Sequence, residues 1–175
     1  IAAAAEPADV VALARVVDGA AGAPAISVDR DMRWGIAALA VAHGLPDAAA
    51  RAAAERAADP SDRAAREALR VETGAPDPAV KAAAWERIHG EGYGSFQLTQ
   101  AALRGFLHAH QAELLAPYAE RFFEAVPGVA RERDHPFLRS YVTALFPHPW
   151  PTPDVVERAR DLADAEAERL PSLRR

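Results

Sequence analysis

The chain has 175 residues, a formal net charge of −5 and no cysteine; 50% of its residues are apolar and 26% are charged. That length suits one well-buried domain, hiding roughly 70% of its unfolded surface, and argues against disorder and against two domains. Acidic and basic residues are interleaved, which speaks against nucleic acid, and no apolar run approaches the ~18–20 residues that span a bilayer. Without cysteine there are no disulfides, Cys-based zinc sites or thiol nucleophiles, and a cytoplasmic location fits.

Alanine dominates stretches such as Ala48–Ala54 and Ala82–Ala84. It favours helix because it loses no side-chain entropy on ordering. Proline and glycine punctuate the rest. Proline suits a first helical turn, and it follows a starting residue at Glu6-Pro7, Leu45-Pro46, Asp59-Pro60, Asp77-Pro78, His135-Pro136 and Thr152-Pro153. Asp59, Asp77 and Thr152 are good N-caps. Gly19, Gly44, Gly74, Gly90 and Gly128 stand where helices should stop.

Taken in chain order, the apolar spacing predicts helices near 7–18, 31–43, 46–58, 60–72, 78–89, 95–110, 112–125, 135–146 and 153–169. Val80, Ala84 and Ile88 share a stripe with Trp85 beside it; Leu103, Phe106, Leu107 and His110 form another. Leu114, Leu115, Tyr118, Phe122 and Val126 follow, then Phe137, Leu138, Tyr141, Val142 and Leu145, and last Val155, Val156, Ala159, Leu162 and Ala163. Ala25–Val28 is the clearest strand-like piece and is too short to build a sheet. The stretch from Gly19 to Asp31 reads as a linker. Short connections place successive helices side by side and antiparallel, so the fold class is all-α, with stacked helical hairpins favoured over a compact bundle.

Chemistry is hard to find. His108 and His110 are two apart, which on one helix puts them on different faces, and no His-Glu-x-x-His occurs. His110 reads as the polar end of a core stripe. Carboxylates such as Glu67, Glu72, Asp161 and Glu166 read as solvated faces, because acid–base work needs two in one cleft with separated pKa values. No serine has a nucleophile elbow. Gly90-Glu91-Gly92-Tyr93-Gly94 is glycine-rich but lacks the lysine and strand of a phosphate loop. It reads as a turn that displays Tyr93, Ser95 and Gln97 at a helix entrance.

One series of residues resembles a known family. Asp31-Met32-Arg33-Trp34 opens a helix; an Ala- and Glu-rich helix ends in Asp59-Pro60; then come PAVKAAAW from Pro78, Gly105-Phe106, QAELLAPY from Gln111, and Arg121-Phe122-Phe123. This order is similar to the C-terminal helical domain of actinobacterial aminopeptidase N, of the M1 metallopeptidases, and to that of the endoplasmic-reticulum aminopeptidases. The resemblance covers roughly residues 24 to 170. It implies an α-α superhelix of HEAT-like antiparallel helix pairs at 24–175, with 1–23 ending a preceding helical segment and linker, so that the chain is a piece of a longer one.

The same resemblance implies a non-catalytic domain that caps the active site of a zinc-dependent hydrolase and shapes peptide access. Its partners would be the catalytic domain of the same parent chain and the peptide substrate; zinc would sit in the parent chain, not in this fragment. No catalytic or metal-binding residue is carried over. Arg33, Trp34, Tyr93, Gln97 and Arg104 are the expected chamber or interdomain surface. The alternative is a free-standing α-solenoid scaffold for protein partners.

Overall fold

The structure, a computed structural model, describes residues 6–19 and 27–165. The described residues are all-α, without a strand, as the periodicity predicts. The helices are α1 (Pro7–Val17), α2 (Arg30–Ala42), α3 (Ala48–Ala58), α4 (Asp62–Thr73), α5 (Pro78–His89), α6 (Phe96–Phe106), α7 (Ala112–Glu132), α8 (His135–Leu145) and α9 (Pro153–Ala165). Two compact units result, Ile1–His110 and Gln111–Arg175. Of the strand-like piece, Ala25 and Ile26 lie outside the described residues, as do 20–26 of the linker and 166–169 of the last predicted helix.

Caps explain most of the starts. Asp77 accepts from the amides of Ala79 and Val80 at 2.7 and 3.2 Å, and Thr152 from that of Val155 at 3.2 Å. Each satisfies first-turn donors that have no partner inside the helix. Asp59 does not do this for α4. Ser61 accepts from Ala64 instead, while the Asp59 carboxylate takes the Ser61 amide and pairs with Arg30 at 3.0 Å. Likewise Asp134, one residue before the predicted position, caps α8 at Phe137. Pro46 does not open α3, because Asp47 turns through a left-handed conformation at φ 60° first.

Two helix ends depart from the reading. The α6 helix stops at Phe106, where Leu107 goes extended at φ −102°, ψ 122°. His108 and His110 therefore lie beyond it, which corrects the placement of His110 on that stripe. Conversely, α7 runs through Pro127 and Gly128 to Glu132. Buried Val126 and Val129 continue its apolar face past the proline, so packing outweighs the lost amide.

In the first unit α1 packs on α2, α2 on α3 and α4, and the most extensive meeting is α4 with α6. Trp34, 2% exposed, packs with Ala37, Ala38, Ala64 and Val71, while Val10 packs with Leu39, Ala40 and Ala48. Gly105 makes the α4–α6 meeting possible. A Cβ there would collide with the Arg70 carbonyl oxygen and the Thr73 hydroxyl, and would lie 2.8 Å from the Arg70 carbonyl carbon. The second unit packs rings instead. Phe122 stacks on Tyr141 at 5.7 Å and meets Phe123 and Phe146 edge-on at 5.3 and 5.8 Å.

Candidate functional site

Within the first unit a groove of about 780 Å³ runs between α1, α2 and α3. Small residues such as Ala14, Ala40, Ala50 and Ala54 leave the space, and Arg15, Arg33, Arg51, Asp18 and Glu55 bring charge to its walls. Arg51 forks onto Asp18 with bonds of 2.9 and 2.6 Å. Those hydrogen bonds hold the Asp18 carboxyl below its ordinary value, so both groups stay charged at neutral pH. Arg33 faces Glu55 at 3.9 Å with its side chain 39% exposed.

A second surface begins at the turn after α5. Gly92 and Gly94 take φ of 72° and 83°, which only glycine adopts cheaply, and so reverse the chain. The Arg87 guanidinium lies 4.3 Å over the Tyr93 ring and donates to the Gly92 carbonyl at 2.9 Å. Burial pushes the half-buried Tyr93 phenol up. Thr99 accepts the Tyr93 amide at 3.2 Å, tying the turn to α6. Gln97 and Arg104 are exposed and, being seven apart, share one face of α6.

Of the five expected surface residues, the structure thus places Arg33 in the groove and Tyr93, Gln97 and Arg104 at the α5–α6 turn and along α6. Trp34 is interior. Its ring belongs to the core and supports the helix that carries Arg33.

Sequence reasoning missed the most unusual polar group. Lys81 is 0% exposed and donates to the carbonyls of Thr73 and Phe106 at 2.8 and 2.6 Å. Those carbonyls end α4 and α6, so one amine ties two helix C-termini, whose partial negative charge faces it. Burial lowers its pKa from 10.5 to about 7. Thr73 adds a cross-link by donating to the Ala102 carbonyl at 3.0 Å. Two signals pointed to Lys81. It is the only lysine in the sequence, and its spacing to Ala84, Trp85 and Ile88 puts it on the buried stripe of α5.

Histidines gather nearby. His110 donates through Nε2 to the Ala42 carbonyl at the end of α2 (2.9 Å) and stacks on His43 at 3.8 Å; His108 lies 5.5 Å from His110, ring to ring. Burial first, and then the charges of Lys81 and His110, bring His108 from 6.5 down to about 4. Among the described residues no three His, Asp or Glu side chains converge as a metal ion would require. No described helix is long and apolar enough to cross a membrane. In the second unit a smaller groove of about 380 Å³ lies between α7, Trp150 and α9, with Arg158 5.1 Å over the Phe123 ring.

The chain matches the ERAP1-like C-terminal domain family over residues 1–175, its whole length. It belongs to that family. It is also 31% identical over 160 residues to a protein named aminopeptidase N from Streptomyces lividans. The match takes in 91% of this chain but 18% of that relative, so the chain spans under a fifth of the length of the curated protein it resembles. The match agrees with the resemblance read from Asp31 to Phe123.

Proposed function

We propose that this chain is the C-terminal, non-catalytic domain of a cytoplasmic, zinc-dependent aminopeptidase, and that its helices, arranged as HEAT-like pairs, cap the catalytic domain and shape peptide access. The observation that carries this is the family match over all 175 residues, joined to the 31% identity with an aminopeptidase N. The boundary near residue 23 belongs to the same proposal.

The groove between α1, α2 and α3 supports the peptide part of the reading. Its wall charges can meet backbone and termini of an extended chain, and its alanine floor leaves room for side chains. Arg33 would act there. Tyr93, Gln97 and Arg104 would face the catalytic domain or the chamber, held by the rigid Arg87–Tyr93 stack. Among the described residues the histidines and carboxylates do not converge as a zinc site needs; zinc would be held by another part of the parent chain, where it would activate water for hydrolysis.

Purified chain assayed with aminoacyl fluorogenic substrates is expected to give no turnover and to retain no stoichiometric zinc after chelation. Turnover, or one zinc per chain, would overturn the reading. Sequencing upstream should reveal His-Glu-x-x-His and a later Glu; without them the scaffold alternative replaces it.

A further inference from the structure

We propose that Lys81 and His108, packed close to His110 and His43 where α2, α4 and α6 end, form a proton-operated latch: proton uptake by these two groups opens this end of the unit and proton loss closes it. The geometry is the first argument. A neutral amine carries two N–H donors, and Lys81 has two carbonyl acceptors at 2.8 and 2.6 Å. The closed site is therefore satisfied without the charge. Protonation adds a third donor and a full positive charge at a 0% exposed position whose bonds run to carbonyls and not to a carboxylate.

Basic groups gather close together here. His108 feels Lys81, His110 and Arg70, all of them basic. His110 stacks nearly parallel on His43, with 8° between the ring planes. On the elements packed against α5, the remaining titratable groups are Asp62, Arg63, Arg66, Glu67 and Glu72 of α4 and the exposed Arg104 of α6; Glu67 pairs with Arg70 at 2.8 Å, and Glu72 acts on Tyr93. On α5 itself Glu86 and Arg87 are exposed, and His89 donates back to Trp85 at 2.8 Å. Burial alone moves Lys81.

Residue choice is the second, independent argument. The chain contains nineteen arginines and one lysine. A guanidinium does not lose its proton in proteins, whereas a buried ammonium does. Among the described arginines and the lysine, the one position closed to solvent is the one that holds the amine able to shed its charge.

The sign follows from linkage. Opened to water, Lys81 recovers its ordinary affinity near 10.5, against about 7 when closed. The open form takes up a proton that the closed form refuses, so the closed state is favoured most above pH 10.5 and loses ground as pH falls to about 7. His108 acts in the same sense between 6.5 and about 4.

Hydrogen exchange of the 175-residue chain, corrected for intrinsic chemistry, tests this at amides of residues 73–75 and 105–108. The opening constant is expected to rise roughly fiftyfold from pH 9 to pH 7, while amides around Phe122 and Tyr141 stay level. Lys81→Met should flatten that rise. Should this variant not fold, His108→Gln decides: it should keep the rise above pH 7 and lose a further roughly tenfold step between pH 6.5 and 5. Equal opening at pH 9 and 7 in the unaltered chain would overturn the latch. So would the full rise in folded Lys81→Met, or an unchanged acid step in His108→Gln.

Discussion

The two units solve the same packing problem with opposite materials. Around α7 and α8 the interior is filled by rings, with Phe122 meeting Phe123, Tyr141 and Phe146. Where α4 and α6 cross at Gly105, almost no side chain intervenes: Gly105 lets backbone meet backbone, and Thr73 and Lys81 fasten the seam by hydrogen bonds. Rings tolerate small adjustments because their contacts are many and weak. A seam of backbone against backbone has nothing to move aside. The first unit is therefore the stiffer design where α4 and α6 touch, and the more sensitive to added volume.

The largest effect should come from the ring-filled unit. Phe122→Ala removes the ring at the centre of that cluster and is expected to cost about 4 kcal/mol, seen as a lower urea midpoint. Phe122→Leu should recover more than half of the loss, because neighbouring rings can close on a smaller side chain; no recovery would mean that ring geometry, not volume, governs this core. Next comes Gly105→Ala, expected to cost about 3 kcal/mol by forcing α6 off the Arg70 carbonyl. Adding Thr73→Ala to it should rescue little, since the main obstacle is backbone. Full rescue would erase the contrast between the units. Smallest is Thr73→Val, which keeps shape and loses the donor to Ala102, for about 1 kcal/mol by the same measurement.

The sequence was most readable where local chemistry decides. Asp77-Pro78 and Thr152-Pro153 announced their helices because a cap and a pre-set φ act within four residues. It was least readable where distant packing decides. Pro127-Gly128 looks like a stop, yet Val129 is buried and the helix continues. Gly105 looks like an ordinary weak point in α6 until α4 arrives against it. Lys81 was hidden by its type, since a lysine among alanines reads as solvated surface. The Asp31-to-Phe123 series did point to the family, because shared ancestry keeps the order of segments even where no one of them carries chemistry. Among the candidate residues, Trp34 was drawn outward by its neighbour Arg33, although its spacing to Ala37 and Ala38 already marked the inner face.

Having a single lysine, and having it indoors, shapes how other molecules can treat this chain. Acetylation, ubiquitin attachment and cleavage by lysine-specific proteases share one side-chain address in the whole sequence, and the fold keeps that address shut. The outer positive charge of the side chains rests on guanidinium groups, which such enzymes pass by.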